Sequence, residues 1–273
     1  MLWKRIATAA VLLPLLVASV LFSVGRPAGW PFLLLSGLAA ALCANEWFRM
    51  FFRETRDRAG GVALVLLVFL LVALLPDSFG VPVFLLCVLL SAFHVLPGGA
   101  DPAEKVRTAA MLSLGAVYVG GLLATYPRTI FLPHGEHWVL MGILAVATGD
   151  TMAYFTGKSI GRAKLAPSIS PNKTVEGALG GLLGSVACCV LYAHGYLPGI
   201  PAWYAAATGA AVGIFGEAGD LFESLLKRAA GVKDSGTIFP GHGGILDRVD
   251  GLLAAGPALY LFAAMSTLGR WGA

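Results

Sequence analysis

The sequence predicts an all-α, polytopic integral membrane bundle of about nine transmembrane helices, and three observations carry that prediction. The 273 residues are 58% hydrophobic and only 12% charged, with a mean hydropathy of +0.80, whereas soluble domains carry about 25% charged residues. Apolar runs recur at approximately 6–24, 30–48, 61–76, 81–97, 109–126, 137–156, 177–197, 201–222 and 251–270, and a bilayer span needs roughly 20 such residues. The runs are continuous and lack the period-two alternation of a membrane barrel, so strands are excluded as the spanning element. No length remains for a soluble domain, so residues 1–273 read as one membrane-embedded domain.

The opening "MLWKRIATAAVLLPLLVASVLFSVG" places Lys4 and Arg5 before an apolar core, as a signal peptide would. The stretch is nearly of spanning length and eight more follow, so it reads as an uncleaved first helix. Spans one to five carry almost no charge apart from Glu46. The four cysteines, Cys43, Cys87, Cys188 and Cys189, lie inside apolar runs without a CxxC pair. They read as small core hydrophobes, with neither disulfide nor zinc implied.

Lys and Arg give the orientation. The N-terminal tail and alternate loops hold Lys4, Arg5, Arg49, Arg53, Arg56, Arg58, Lys105, Arg107, Lys158, Arg162, Lys164, Lys173, Lys227, Arg228, Lys233 and Arg248, which is 16 of the 19 cations. Only Arg26, Arg128 and Arg270 fall on the other side. The positive-inside rule then puts the N-terminus and both long polar loops in the cytoplasm. Asp150, Glu176, Glu217, Asp220, Asp247 and Asp250 converge from four spans on that same membrane depth. Carboxylates there are costly unless they pair, bind an ion or perform chemistry.

The loop between spans six and seven contains "GKS" at Gly157–Ser159, but Met152 stands where a phosphate-binding P-loop needs glycine, so that motif is rejected. "SPNKT", Ser170–Thr174, reads as a turn followed by a helix start, with Lys173, Thr174 and backbone amides able to meet an anion. Gly177, Gly180, Gly181 and Gly184 then form two overlapping GxxxG pairs, which read as close helix packing. Span eight reads as a long helix from Pro201 to Ala230, whose last turns leave the hydrocarbon. Glu217, Asp220, Ser224, Lys227 and Arg228 fall on one arc of it, with Gly209, Gly213 and Gly216 on or beside that arc. Glu223 lies just off its edge, four residues before Lys227, at ion-pair spacing.

"VKDSGTIFPGHGGILDRVDG" follows. Pro240, Gly241, Gly243 and Gly244 would let the backbone approach a phosphate, and His242 could donate to one. Asp247 and Asp250 share a face if span nine has begun. With Asp220 they offer three carboxylates, the oxygen ligands that Mg²⁺ prefers. Beside interleaved cations, they point to metal-assisted phosphoryl chemistry.

The stretch "SLLKRAAGVKDSGTIFPGHGGILDRVDG", Ser224 to Gly251, resembles the signature of phosphatidate cytidylyltransferases, also called CDP-diacylglycerol synthases. That pattern is S-x-apolar-K-R, then K-D, then H-G-G-x-x-D-R-x-D, and every element is present; "SPNKTVEG" is similar to a second motif block. The resemblance implies transfer of the cytidylyl group of CTP to phosphatidate, giving CDP-diacylglycerol and pyrophosphate, in phospholipid biosynthesis. It also implies Mg²⁺, with room for a second cation, and a homodimer in the bacterial inner membrane; no nucleic acid partner is implied. The active-site loops would be about 150–176 and 217–251. The expected catalytic residues are Asp220, Lys227, Arg228, Asp247, Arg248 and Asp250, with Asp220, Asp247 and Asp250 as the metal ligands. Lys173, Thr174, Glu176, Ser224, Lys233, Asp234, His242, Gly243 and Gly244 are expected to bind substrate.

Other readings explain less. A CTP-dependent, dolichol-kinase-like lipid kinase would also be polytopic. A CDP-alcohol phosphotransferase needs arginine where Ala255 stands. An ion-coupled transporter predicts polar residues near the midplane and repeat symmetry, whereas these carboxylates cluster at one end.

Overall fold

The computed structural model describes residues 14–23, 29–97, 99–236, 238 and 243–269. The first part of the first expected span therefore lies outside the described residues, as do Pro240, Gly241 and His242. Residues 14–21 are helical. Eight long helices follow: α1 Trp30–Phe51, α2 Thr55–Leu74, α3 Gly80–Val95, α4 Pro102–Ile130, α5 Gly135–Ile160, α6 Val175–Tyr196, α7 Ala202–Ala229 and α8 Leu246–Leu268. Among the described residues, seven helices are long and apolar enough to cross a membrane, and α7 is not one of them. Its 28 residues are too rich in alanine, glycine and charge. The chain is an all-α, multi-pass membrane protein, as expected.

The helices form because lipid offers no partners for backbone N–H and C=O groups, so each segment must satisfy its own. Their ends follow local chemistry. Asp101 caps α4 by accepting from Ala103 N at 3.0 Å, with Pro102 in the first turn. Thr174 caps α6 by accepting from Gly177 N at 3.1 Å. The segment before that cap departs from expectation. Ser170–Thr174 is not a turn but strand β2, paired antiparallel with β1, Lys164–Ala166, in the register Lys164 to Thr174 and Ala166 to Ser170. A two-stranded ribbon has a free edge at every strand, so Pro171 costs it no ladder bond. The turn falls at 167–169 instead.

Small residues let the site-bearing helices approach closely. A Cβ at Gly181 would lie 3.0 Å from Gly149 O and 3.1 Å from Ala153 Cβ, so α6 meets α5 backbone to backbone. A Cβ at Gly219 would lie 2.7 Å from Asp250 O, which joins α7 to α8. α4 ties the first half of the bundle to the second. Tyr118, within a π-helical turn at Ala116–Gly121, donates to Gly219 O at 3.3 Å, and Tyr126 donates to Leu252 O at 2.9 Å. At the end away from the polar loops, Arg128 pairs with Asp77 at 2.7 Å and donates to Tyr260 Oη at 3.0 Å and Val72 O at 2.8 Å. Trp47, Phe48, Phe69, Trp138, Leu246 and Leu253 fill the interior, while Leu70, Phe84, Leu183, Leu191, Ile214 and Leu261 face outward, where lipid would be.

This packing makes Gly181 intolerant of a side chain. Gly181→Leu should lower the thermal unfolding midpoint in detergent, because overpacking a close contact costs about 1–3 kcal/mol. Gly195→Leu is the control, since a Cβ there meets nothing within 4 Å. It should leave the midpoint unchanged.

Candidate active site

The C-terminal ends of α5 and α7, the N-terminal ends of α6 and α8, and the hairpin surround one open cavity of about 1030 Å³. Six carboxylates line it: Asp150, Glu217, Asp220, Asp234, Asp247 and Asp250. Five cations line it too: Lys158, Lys173, Lys227, Lys233 and Arg248. The arc expected on α7 is present in the region of Glu217, Asp220 and Lys227, all on the cavity wall.

Two ion-pair clusters organise the wall. Lys173, at the end of β2, reaches Glu217 and Asp220 of α7, each at 2.8 Å. Burial alone would lower its pKa, yet the Asp220 and Glu217 charges outweigh that and hold the ammonium above the usual lysine value. It therefore fixes the hairpin to α7 as a permanent cation. The second cluster lies deeper. Lys227 is buried between Glu223, which is fully buried, and Asp247 at 2.6 Å. The Glu223–Lys227 spacing of four residues gives the pair read from the sequence.

Asp247, expected as a metal ligand, lines the cavity and is also engaged by groups of the protein itself. Its Oδ1 receives Lys227, and its Oδ2 receives Ser235 N at 2.9 Å, Ser235 Oγ at 2.8 Å and Gly244 N at 2.7 Å. Four donors satisfy that carboxylate from within the protein. Among the described residues, no three His, Cys, Asp or Glu side chains gather closely enough to enclose a metal ion. Asp220 and Asp250 remain on the cavity wall with Asp150, and the charge of Asp220 reaches both of the others. Asp250 also accepts from its following amide, Gly251 N, at 2.7 Å.

The other expected residues divide. Lys173, Thr174, Lys233, Asp234, Gly243 and Arg248 line the cavity. Thr174 spends its hydroxyl on the α6 cap. Glu176 instead accepts from Arg162 N at 2.9 Å and Ala163 N at 3.2 Å, bracing the entry to the hairpin. Ser224 Oγ lies 3.4 Å from Asp220 Oδ1. Arg228 is off the cavity wall, with its Nε directed at Ile169 O at 3.4 Å. Gly243 has φ +76°, and a Cβ there would lie 2.5 Å from Asp247 Oδ2, so its small size serves a carboxylate.

Lys158 and Tyr154 also line the cavity, although no motif named them. Asp150, Tyr154 and Lys158 recur every four residues along α5, which is the helical spacing that places them on one face. Glu46, the lone carboxylate of the early spans, contacts the same loop from behind the cavity.

The fold and cavity define a polytopic membrane protein with a strongly charged pocket at one end of its bundle. Residues 3–266 match the model of the cytidylyltransferase family. A phosphatidate cytidylyltransferase of Pseudomonas aeruginosa is 35% identical over 281 residues, covering 100% of both chains. One of Thermotoga maritima is 33% identical over 252 residues, or 83% of this chain and 86% of its own. One of Bacillus subtilis is 42% identical over 156 residues, or 56% of this chain and 58% of its own. The chain belongs to the cytidylyltransferase family.

The buried Lys227 cluster generates a stability prediction. Lys227→Met should destabilise the protein by on the order of 3–5 kcal/mol, because it strands two carboxylates of which one is fully buried. Lys227→Met combined with Glu223→Gln should recover much of that loss. Thermal unfolding of the purified variants in detergent checks the order.

Proposed function

We propose that this protein transfers the cytidylyl group of CTP to phosphatidate, forming CDP-diacylglycerol and pyrophosphate in phospholipid biosynthesis. The observation that carries the reading is the cavity itself, a pocket of opposing charges at one end of a membrane bundle, walled by the signature between Ser224 and Gly251. At about 1030 Å³ it is at the upper end of small-molecule sites, room enough for a nucleotide and a lipid headgroup.

In the proposed reaction a phosphate oxygen of phosphatidate attacks the α-phosphorus of CTP. A new P–O bond forms, the bond to the β-phosphate oxygen breaks, and pyrophosphate carries away the electron pair. The nucleophile is already anionic, so no strong base is needed. Repulsion between two polyanions is the obstacle. Lys158, Lys233 and Arg248 line the wall, and they would hold the phosphates. Lys173 and Lys227 act differently. Each is engaged by carboxylates, and each fixes the wall from which substrate contacts project.

The carboxylate content bears on Mg²⁺. Six carboxylates against five cations would repel a triphosphate, so this donor set fits a divalent cation entering with the nucleotide. Asp220 and Asp250, with Asp150 beside them, would hold it, because Mg²⁺ takes one or two protein carboxylates and completes its shell with phosphate and water. When bound, it would neutralise the triphosphate and stabilise the charge on the leaving group. The bias of 16 Lys and Arg residues toward the cavity side supports a cytoplasm-facing site in a cell inner membrane. A homodimer belongs to the same proposal and rests on the family resemblance.

Incubating the protein with phosphatidate, Mg²⁺ and CTP labelled at the α or the γ phosphorus decides the chemistry. Cytidylyl transfer puts the α label into lipid and the γ label into pyrophosphate. The γ label in lipid would mean a kinase, and label in neither lipid product would mean no transfer at all. Either outcome sinks the proposal. Chelation with EDTA should abolish product and added Mg²⁺ restore it, whereas Asp250→Asn should stay inactive at any Mg²⁺ concentration. For orientation, single cysteines at Glu104 and Gly195 in a background without native cysteines should react from opposite sides of the membrane. An impermeant reagent added outside intact cells should label only the Gly195 site; labelling of the Glu104 site refutes the cytoplasmic placement.

A further inference from the structure

We infer that Glu46, on α1, is a positioning residue for the active site: it holds the loop around Ser235 and the first turn of α8 in the geometry that cytidylyl transfer requires. The inference rests on the functional reading above. Glu46 is only 3% exposed and is not on the cavity wall, so it acts through other groups. Its Oε1 accepts from Ile245 N at 3.0 Å. Its Oε2 accepts from Leu246 N at 2.9 Å and lies 3.1 Å from Ser235 Oγ.

These contacts answer a local need. α8 has no side-chain cap from its own N-cap residue, Ile245. The leading N–H groups of a helix need acceptors, and the positive end of its dipole favours a carboxylate. Glu46 supplies both from 200 residues away in sequence. That cap stands one residue before Asp247 and one turn before Asp250.

The loop is shaped around this carboxylate. A Cβ at Gly236 would lie 2.5 Å from Glu46 Oε1, 2.8 Å from its Cδ and 3.0 Å from its Cγ. A Cβ at Gly244 would overlap Glu46 Oε2 and Ser235 Oγ. Two glycines of the loop are therefore small where Glu46 sits. From Ser235 the contacts pass to Asp247 Oδ2, through both N and Oγ, and from Asp247 to Lys227. A hydroxyl has one proton, so Ser235 Oγ donates to Glu46 or to Asp247 at any moment and links the two carboxylates. Moving Glu46 thus moves the wall that carries Asp247, Arg248 and Asp250.

Steady-state kinetics and hydrogen–deuterium exchange on the full-length protein in detergent test this, using Glu46→Gln, Glu46→Ala, Gly236→Ala and the Glu46→Ala/Gly236→Ala double variant. Gln keeps one acceptor oxygen and Ala keeps none. The kcat should fall on the order of 10-fold for Glu46→Gln and on the order of 100-fold for Glu46→Ala, the scale of an ångström-level misplacement. KM for either substrate should rise by a smaller factor than kcat falls, since Lys158 on α5 keeps its place while Arg248 moves with the wall. Gly236→Ala should reduce kcat alone, yet add nothing to Glu46→Ala, because the atoms its methyl strikes are then gone. The amides of Ser235, Gly244, Ile245 and Leu246 should lose protection in Glu46→Gln while those of α5 and α6 keep theirs. A wild-type kcat in Glu46→Gln, additive losses in the double variant, or protection lost evenly across the bundle would each overturn the inference. If the wild-type protein makes no CDP-diacylglycerol, the functional reading fails instead. The exchange comparison then still tests the hold of Glu46 on the loop, and unchanged protection at Ser235, Gly244, Ile245 and Leu246 would overturn that too.

Discussion

A single ammonium group organises the polar end of this bundle. Lys227 is buried between Glu223 of its own helix and Asp247 at the start of the next one. Glu223 is fully buried and could not be so without it, because an unpaired charge in such surroundings costs several kcal/mol. The pair with Glu223 fixes the rotamer of Lys227 along α7, and the pair with Asp247 draws the first turn of α8 against it. The amides of Ser235 and Gly244 then close on the remaining oxygen of Asp247. Loop, helix start and helix end are locked by charge at one point, and the cavity wall follows from that lock.

Close packing supplies what the charges cannot. α7 lacks the apolar surface of a lipid-facing span, and it needs none where α6 and α8 meet it through small residues at Gly209, Gly213 and Gly219. Ile214 and Phe215 take the outer surface of α7, which leaves Glu223 fully buried and Glu217 and Asp220 on the cavity wall. In a lipid-exposed helix those residues would be prohibitively costly.

Much of this was legible in the sequence, for local reasons. The expected helix from Pro201 to Ala230 is Ala202–Ala229, because proline and the charged exit mark both ends. The Glu223–Lys227 pair follows from helical spacing, and the helix start after Thr174 from the residues that precede it. What escaped depends on partners distant in sequence or on hydrogen bonds that no pattern counts. Glu46 was visible as an isolated carboxylate, but its donors lie about 190–200 residues on, at Ser235 and Leu246. Asp247 and Asp250 share a DxxD spacing, which does not reveal that Asp247 is held by Lys227 and by the amides of Ser235 and Gly244. The hairpin was missed because Ser170–Pro171–Asn172 carries turn residues, while its pairing partner, Lys164–Ala166, has no alternation to announce a strand.

The length of α7 fixes where the chemistry sits. Its 28 residues span about 42 Å, roughly 12 Å more than the hydrocarbon layer. Glu217 and Asp220 lie about nine to twelve residues, or about 14–18 Å, before the end of the helix, which places them just inside the edge of that layer, a short way below the lipid phosphates. A lipid headgroup at that level needs no lifting from its leaflet to meet the wall. The soluble reactant makes the vertical journey, descending into the protein, while the insoluble one has only to drift sideways.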